Sequence, residues 1–157
     1  MAKSPLKPLV VCRNKQATFK FELLDRIECG LILRGTEVKS LRDKGANLEH
    51  AYARLDGGEL WLIDGHIGPY RYGHAANHDS TRKRKLLLHS SELKKLEPKL
   101  KTKGLTLVPV EIRFNERGIA KVVIALARGK TLGDKRQDLK AREHRRDIEQ
   151  ATKSHKR

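Results

Sequence analysis

The chain has 157 residues, room for one compact domain with its own core and too few for two ordinary ones. Its 35 Lys and Arg outnumber 19 Asp and Glu, giving a formal net charge of +16. A folded chain with that imbalance repels itself until a polyanion relieves it, which places nucleic acid first among partners and an anionic membrane surface second. No apolar stretch is long enough to span a bilayer. The lysines of Met1–Pro8 are not followed by the apolar segment of a secretory signal. Cys12 and Cys29 end apolar segments and read as reduced core residues, which predicts a cytoplasmic protein rather than a disulfide scaffold.

Residues 1–8, with Pro5 and Pro8 among lysines, form an expected loose leader, and 1–13 as a whole the leader and the start of a first strand. Phe19, Phe21 and Leu23 alternate with Lys20 and Glu22, so the segment Phe19 to Gly30 reads as a half-buried strand. Gly35 and Thr36 open a short helix, with Thr36 as cap, Val38 and Leu41 inward, Lys39 and Arg42 outward, and Gly45 as stop. Ala51–Leu55 and Glu59–Asp64 form a hairpin around Asp56-Gly57-Gly58. Within it Trp61 is either the exposed member or part of a second small cluster.

Periodicity stops from Gly68 to Thr81, a run rich in Tyr70, Tyr72, His74, Asn77, His78 and Asp79. So long a patternless stretch in a compact domain points to function or disorder. Arg82, Lys83, Arg84 and Lys85 follow. A second helix begins near Ser90 or Ser91, carries Leu93, Leu96 and Leu100 as its stripe, and is kinked or broken by Pro98. Leu105–Phe114 and Gly118–Ala127 are the last two strands, and the unalternating Val122-Val123-Ile124 predicts burial on both faces. The sum is a mainly β protein: a small closed barrel of about six strands spanning 14–130, with three short helices. Residues 128–157 hold eleven Lys or Arg against five acids and only Leu132, Leu139 and Ile148 as large aliphatics. The expectation for 131–157 is a tail disordered alone and helical on a polyanion, supported by the pairs Asp138–Arg142 and Glu149–Lys153.

Chemistry is sparse. Gly129-Lys130-Thr131 ends like a phosphate-binding loop, but the position needing the first Gly is Ala125, inside a strand. His74, His78 and Asp79 are the one local set with metal-ligand chemistry, and histidines in such basic loops more often meet bases or phosphates. No nucleophile–base pair or paired carboxylates can be read, so neither an enzyme nor a cofactor is expected. Arg82–Lys85 is either a solvated strand edge or a phosphate-contacting ridge. The preceding tyrosines and the nearby Lys94, Lys95, Lys99, Lys101 and Lys103 favour the ridge. With no helix-turn-helix, zinc finger or basic zipper present, RNA is favoured over DNA. The alternative is a basic structural protein permanently bound to ribosomal RNA.

Four runs carry a resemblance: Gly35-Thr36-Glu37-Val38-Lys39-Ser40-Leu41-Arg42; Asn77-His78-Asp79 with Arg82 and Arg84-Lys85-Leu86-Leu87-Leu88-His89; Gly104-Leu105-Thr106-Leu107-Val108-Pro109; and Ala127-Arg128-Gly129-Lys130 before Asp134-Lys135-Arg136. Together, from about Asn14 to Arg146, the chain resembles the SmpB family of SsrA-binding proteins. The resemblance implies an oligonucleotide-binding-type barrel that grips the tRNA-like domain of transfer-messenger RNA. It implies an adaptor, monomeric on its RNA, that enters stalled ribosomes, its tail probing the small-subunit decoding centre and the vacant mRNA channel. By the same resemblance Glu28, Leu87 and His89 contact the RNA elbow, with Lys39, His78, Arg82, Arg84 and Lys85 as neighbours. Gly129 and Lys130 would be the hinge into the tail, and Lys130, Asp134, Lys135, Arg136, Lys140, Arg142, Arg145 and Arg146 the ribosome-facing residues. Phe19, Phe21, Ser80, Thr131 and Gly133 depart from the family pattern.

Overall fold

The computed structural model describes residues 7–154. The expected loose leader over 1–6 and the last three residues of the tail, His155 among them, lie outside these. Among the described residues, seven strands form one antiparallel sheet: β1 Leu9–Arg13, β2 Phe21–Leu31, β3 Tyr52–Asp56, β4 Glu59–Ile63, β5 Arg84–Leu87, β6 Leu105–Phe114 and β7 Ala120–Gly129. The pairings run β6-β3-β4-β5-β2-β7 and return to β6, so six strands close a ring. Closure removes exposed edges. β6 can serve three partners because it is long: β7 lies along one edge, while β3 and β1 share the other. β1 is thus a strand added outside the ring. Four α-helices accompany the sheet: α1 Lys15–Lys20, α2 Gly35–Asp43, α3 Ser90–Leu100 and α4 Leu132–Ser154.

One core fills the ring. Leu31, Leu60, Leu62, Leu107, Ile112, Val122, Ile124 and Leu126 come from strands, Leu41 from α2 and Leu96 from α3. Val38, Leu93 and Leu100 pack against it, so both short helices turn their expected stripes inward. Pro98 sits inside α3 without ending it. β7 is buried from Val122 to Ala127 on both faces, as its unbroken apolar run predicts. A second small cluster explains part of that outer face: Ala17 of α1 packs with Val108 and Ala127, flanked by Phe21 and Leu23.

Three differences from the sequence expectation have a visible physical cause. The strand expected from Phe19 begins at Phe21, because Lys15–Lys20 is helical. Buried Asn14 anchors that turn: its N–H donates to Val110 O at 2.7 Å, and its Nδ2 donates to Leu48 O at 3.1 Å and Pro109 O at 3.0 Å. The cap of α2 is Arg34, not Thr36, since the Arg34 N–H donates to Glu37 Oε2 at 2.7 Å. The last strand begins at Ala120, because Asn115 Oδ1 accepts the N–H groups of Arg117 and Ile119 and keeps the turn going through Gly118, at φ 75°. Pro109, which lacks an N–H, lies beside a register shift in β6. In the β3–β4 hairpin Gly57 and Gly58 take φ 59° and 75°, the two left-handed positions of a two-residue turn.

Candidate nucleic-acid interface

The basic run Arg82–Lys85 does not form a uniform ridge. The Arg84 side chain is completely buried. Its Nε donates to Glu37 Oε1 at 2.8 Å, Nη1 to Gly65 O at 2.6 Å and Nη2 to Ser80 O at 3.1 Å. Arg82 reaches the same carboxylate, through Nε at 3.1 Å and Nη2 at 2.7 Å. Glu37 is the buried centre of this triad. Burial alone would raise its pKa. The Arg82 hydrogen bonds, the Arg34 N–H and the Arg84 charge outweigh that and hold it at about 2. Lys83 lies 4.7 Å from the Trp61 ring centre and pairs with Asp56 at 3.5 Å, which places Trp61 on the outer face of its hairpin. Lys85 pairs with Glu59 at 2.6 Å. Arg84 therefore has no surface to offer a phosphate, a correction to the ridge expectation; the run's exposed cations are Lys83 and, in part, Lys85 and Arg82.

His78 is also inside. Its Nε2 lies 2.8 Å from Ile67 O and its Nδ1 lies 2.9 Å from Thr36 Oγ1. Both ring nitrogens are engaged, so His78 fastens the 68–81 loop to α2 and cannot meet a base. Lys39 remains exposed on the outer face of α2.

Glu28, Leu87 and His89 do come together. They line one groove of about 690 Å³ with Arg26, Gly30 and Lys121. The register produces it. Gly30 of β2 stands opposite Leu87 of β5 and Lys121 of β7. A Cβ on Gly30 would lie 3.1 Å from Leu87 Cβ, so the missing side chain lets Leu87 lie across the strand. Leu87 is half exposed there, an apolar surface open to solvent. His89 is the residue at which the chain turns into α3. Glu28 pairs with Arg113, a residue the motif reading passed over. The signal was present, since Glu111 and Arg113 alternate with buried Ile112 and Phe114. Such a groove combines an apolar shelf, a carboxylate acceptor for hydroxyl or amino groups, and cations at its rim.

The tail base has its own geometry. The Thr131 N–H and hydroxyl donate to Asp134 Oδ2 at 3.2 and 2.8 Å, and the Asp134 N–H returns to Thr131 Oγ1 at 3.3 Å. This reciprocal cap starts α4. The Thr131 hydroxyl and then its N–H hold the Asp134 carboxyl below its ordinary pKa. Lys130 Nζ pairs with Asp138 and donates to Thr18 O at 2.7 Å. Arg142 lies over the Phe19 ring at 5.5 Å. The expected Asp138–Arg142 pair is thus replaced: Asp138 takes Lys130, and Arg142 turns to Phe19 of α1. Lys130 and Asp134 build the base of the helix, while Arg136, Lys140, Arg142, Arg145 and Arg146 are exposed along it and Lys135 is half-buried. Gly129 ends β7, so Gly129-Lys130-Thr131 wraps no phosphate. Cys12 and Cys29 are free thiols, and burial pushes Cys29 to about 12.

A family model described as "SmpB protein" matches residues 11–154. The SsrA-binding protein of Chelativorans sp. (strain BNC1) is 49% identical over 137 residues, covering 87% of this chain and 88% of the relative. That of Thermosynechococcus vestitus is 50% identical over 145 residues, covering 92% and 95%. A solved structure described as "tmRNA-SmpB: a journey to the center of the bacterial ribosome" superposes with a TM-score of 0.67 at 50% identity, covering 78% of this chain and 85% of that one. With its ring of strands, its groove and these matches, the chain belongs to the SmpB family of SsrA-binding proteins.

Proposed function

We propose that this chain is an RNA-binding adaptor of trans-translation. It binds the tRNA-like domain of transfer-messenger RNA and brings it to stalled ribosomes, where its tail probes the decoding centre and the vacant mRNA channel. The observation that carries the reading is the groove in which Glu28, Leu87 and His89 meet. A structured RNA offers what such a groove recognises: unstacked bases for Leu87 and His89, 2′-hydroxyl or amino donors for Glu28, and phosphates for Arg113 and Lys121. Arg113 beside Glu28 keeps that carboxylate from repelling the backbone. The ring of strands serves as an oligonucleotide-binding-type platform over residues 14–130.

The tail has a different task. α4 has no buried residue, and Leu132, Leu139 and Ile148 are exposed, so beyond its base little holds it to the ring. A helix this poor in docking surface gains from a polyanion, and the ribosome supplies one. The adaptor acts in the cytoplasm as a monomer on its RNA and carries out no catalysis, its work being binding and placement. No helix among the described residues is long and apolar enough to cross a membrane.

The test is the RNA that copurifies with the full chain after a high-salt wash. Transfer-messenger RNA is expected. Ribosomal RNA alone, with the protein staying stoichiometric on ribosomes in high salt, would instead identify a permanent ribosomal component.

A further inference from the structure

The 68–81 loop carries a second feature that the groove does not use. Tyr70 and Tyr72 stand edge to face, ring centres 5.6 Å apart. Lys39 Nζ lies 5.6 Å from the Tyr70 ring centre and the Arg71 guanidinium 5.9 Å from that of Tyr72. With Arg42 and Asp43 these residues line a hollow of about 460 Å³. Three cations face one carboxylate, and Asp43 is already held by Arg71 at 2.9 and 3.0 Å. Tyr72 is 66% exposed, the second most exposed large apolar side chain among the described residues.

The loop is built to hold this display. Asn77 Oδ1 accepts the Tyr70 N–H at 2.9 Å and its Nδ2 donates to Tyr70 O at 3.0 Å, a two-bond strap across the loop. The Gly73 N–H donates to Tyr70 O at 2.9 Å, and the space where a Gly73 Cβ would stand is filled by the Asn77 amide at 2.5 Å. Ser40 Oγ donates to Gly68 O at 2.6 Å, and His78 pins the far end. A loop so fastened loses little further freedom on binding. An exposed aromatic fixed among cations is what an unpaired base with its flanking phosphates stacks on.

One residue of the hollow reaches the turn beside the groove. Arg42 stacks over Phe114 at 4.5 Å and donates to Gly118 O at 3.3 Å, and the next residue, Ile119, lines the groove. The two surfaces flank one turn. We propose that Tyr72, with Lys39, Arg42 and Arg71, forms a second RNA subsite that stacks an unpaired base of the same RNA that fills the groove. This rests on the transfer-messenger RNA reading above.

The test measures binding of the isolated tRNA-like domain of transfer-messenger RNA to the full chain across a salt series. Tyr72→Ala should weaken binding about tenfold without changing the salt slope, since a stacking ring is lost and no phosphate contact. Tyr72→Phe should bind within about twofold of wild type, because the ring face is kept. Lys39→Ala should lower the salt slope by about one. Wild-type affinity in Tyr72→Ala, or Tyr72→Phe as weak as Tyr72→Ala, overturns the subsite; a subsite for a protein partner would give the first of these results. Failure of the wild-type chain itself to bind overturns the functional reading and the subsite with it.

Discussion

Arg84→Ala separates a structural arginine from an RNA-binding one. Arg84 is wholly buried, and its guanidinium holds Glu37, Gly65 O and Ser80 O together. Its removal leaves a buried carboxylate served by Arg82 from the rim and takes the Arg84 donor from Gly65 O, while Ser80 O keeps the Ile67 N–H at 2.9 Å. Breaking a buried charge pair from one side costs about 3–5 kcal/mol, a large share of the roughly 5–15 kcal/mol that a domain has. With a urea dependence of about 1–3 kcal/mol per molar, the unfolding midpoint should fall by at least about 1 M. RNA affinity per folded molecule, and the salt slope of binding, should not change at temperatures where the variant stays folded. Urea titration and a filter-binding salt series on the same preparation decide it. A variant of normal stability whose salt slope has dropped by about one would place Arg84 on a phosphate and refute the reasoning.

The same triad predicts a pH dependence. Glu37 titrates at about 2 in the folded chain against an ordinary value of 4.5. A depressed carboxylate contributes in full above its unfolded value and loses that contribution as pH falls toward the folded one, here between about pH 5 and 2, for a total of about 3 kcal/mol. Urea midpoints of wild type and Glu37→Gln should therefore converge on acidification, and parallel curves would contradict the assignment. In the groove, Gly30→Ala would press a Cβ to 3.1 Å from Leu87 Cβ. Crowding of this kind costs about 1 kcal/mol and should lift Leu87 and weaken RNA binding; unchanged affinity would detach Leu87 from the interface.

The sequence shows best what periodicity can carry. Leu105–Phe114 appears at its expected bounds, and the unalternating Val122–Ile124 is buried on both sides. Phe19 misled because its spacing to Phe21 mimics a strand, while the real constraint, the Asn14 side chain tied to Leu48 and Pro109, is nonlocal. Arg84 and His78 illustrate the limit at the candidate site. Beside so many cations both look like ligands for RNA, but burial depends on the Glu37 carboxylate and the Thr36 hydroxyl, which are distant in sequence. Conversely, the Gly30 gap beneath Leu87 arises from the β2–β5 register and has no local motif. Thr131 and Gly133 fall at the start of α4, where Thr131 caps the helix through Asp134.

The division of labour between ring and tail is the central claim, and deletion of residues 131–157 tests it directly. The truncated chain should bind the tRNA-like domain of transfer-messenger RNA with largely intact affinity, because Glu28, Leu87 and His89 keep their groove. It should fail to support peptide tagging on stalled ribosomes. Equal loss of RNA binding and tagging, or tagging that survives the deletion, would contradict the account.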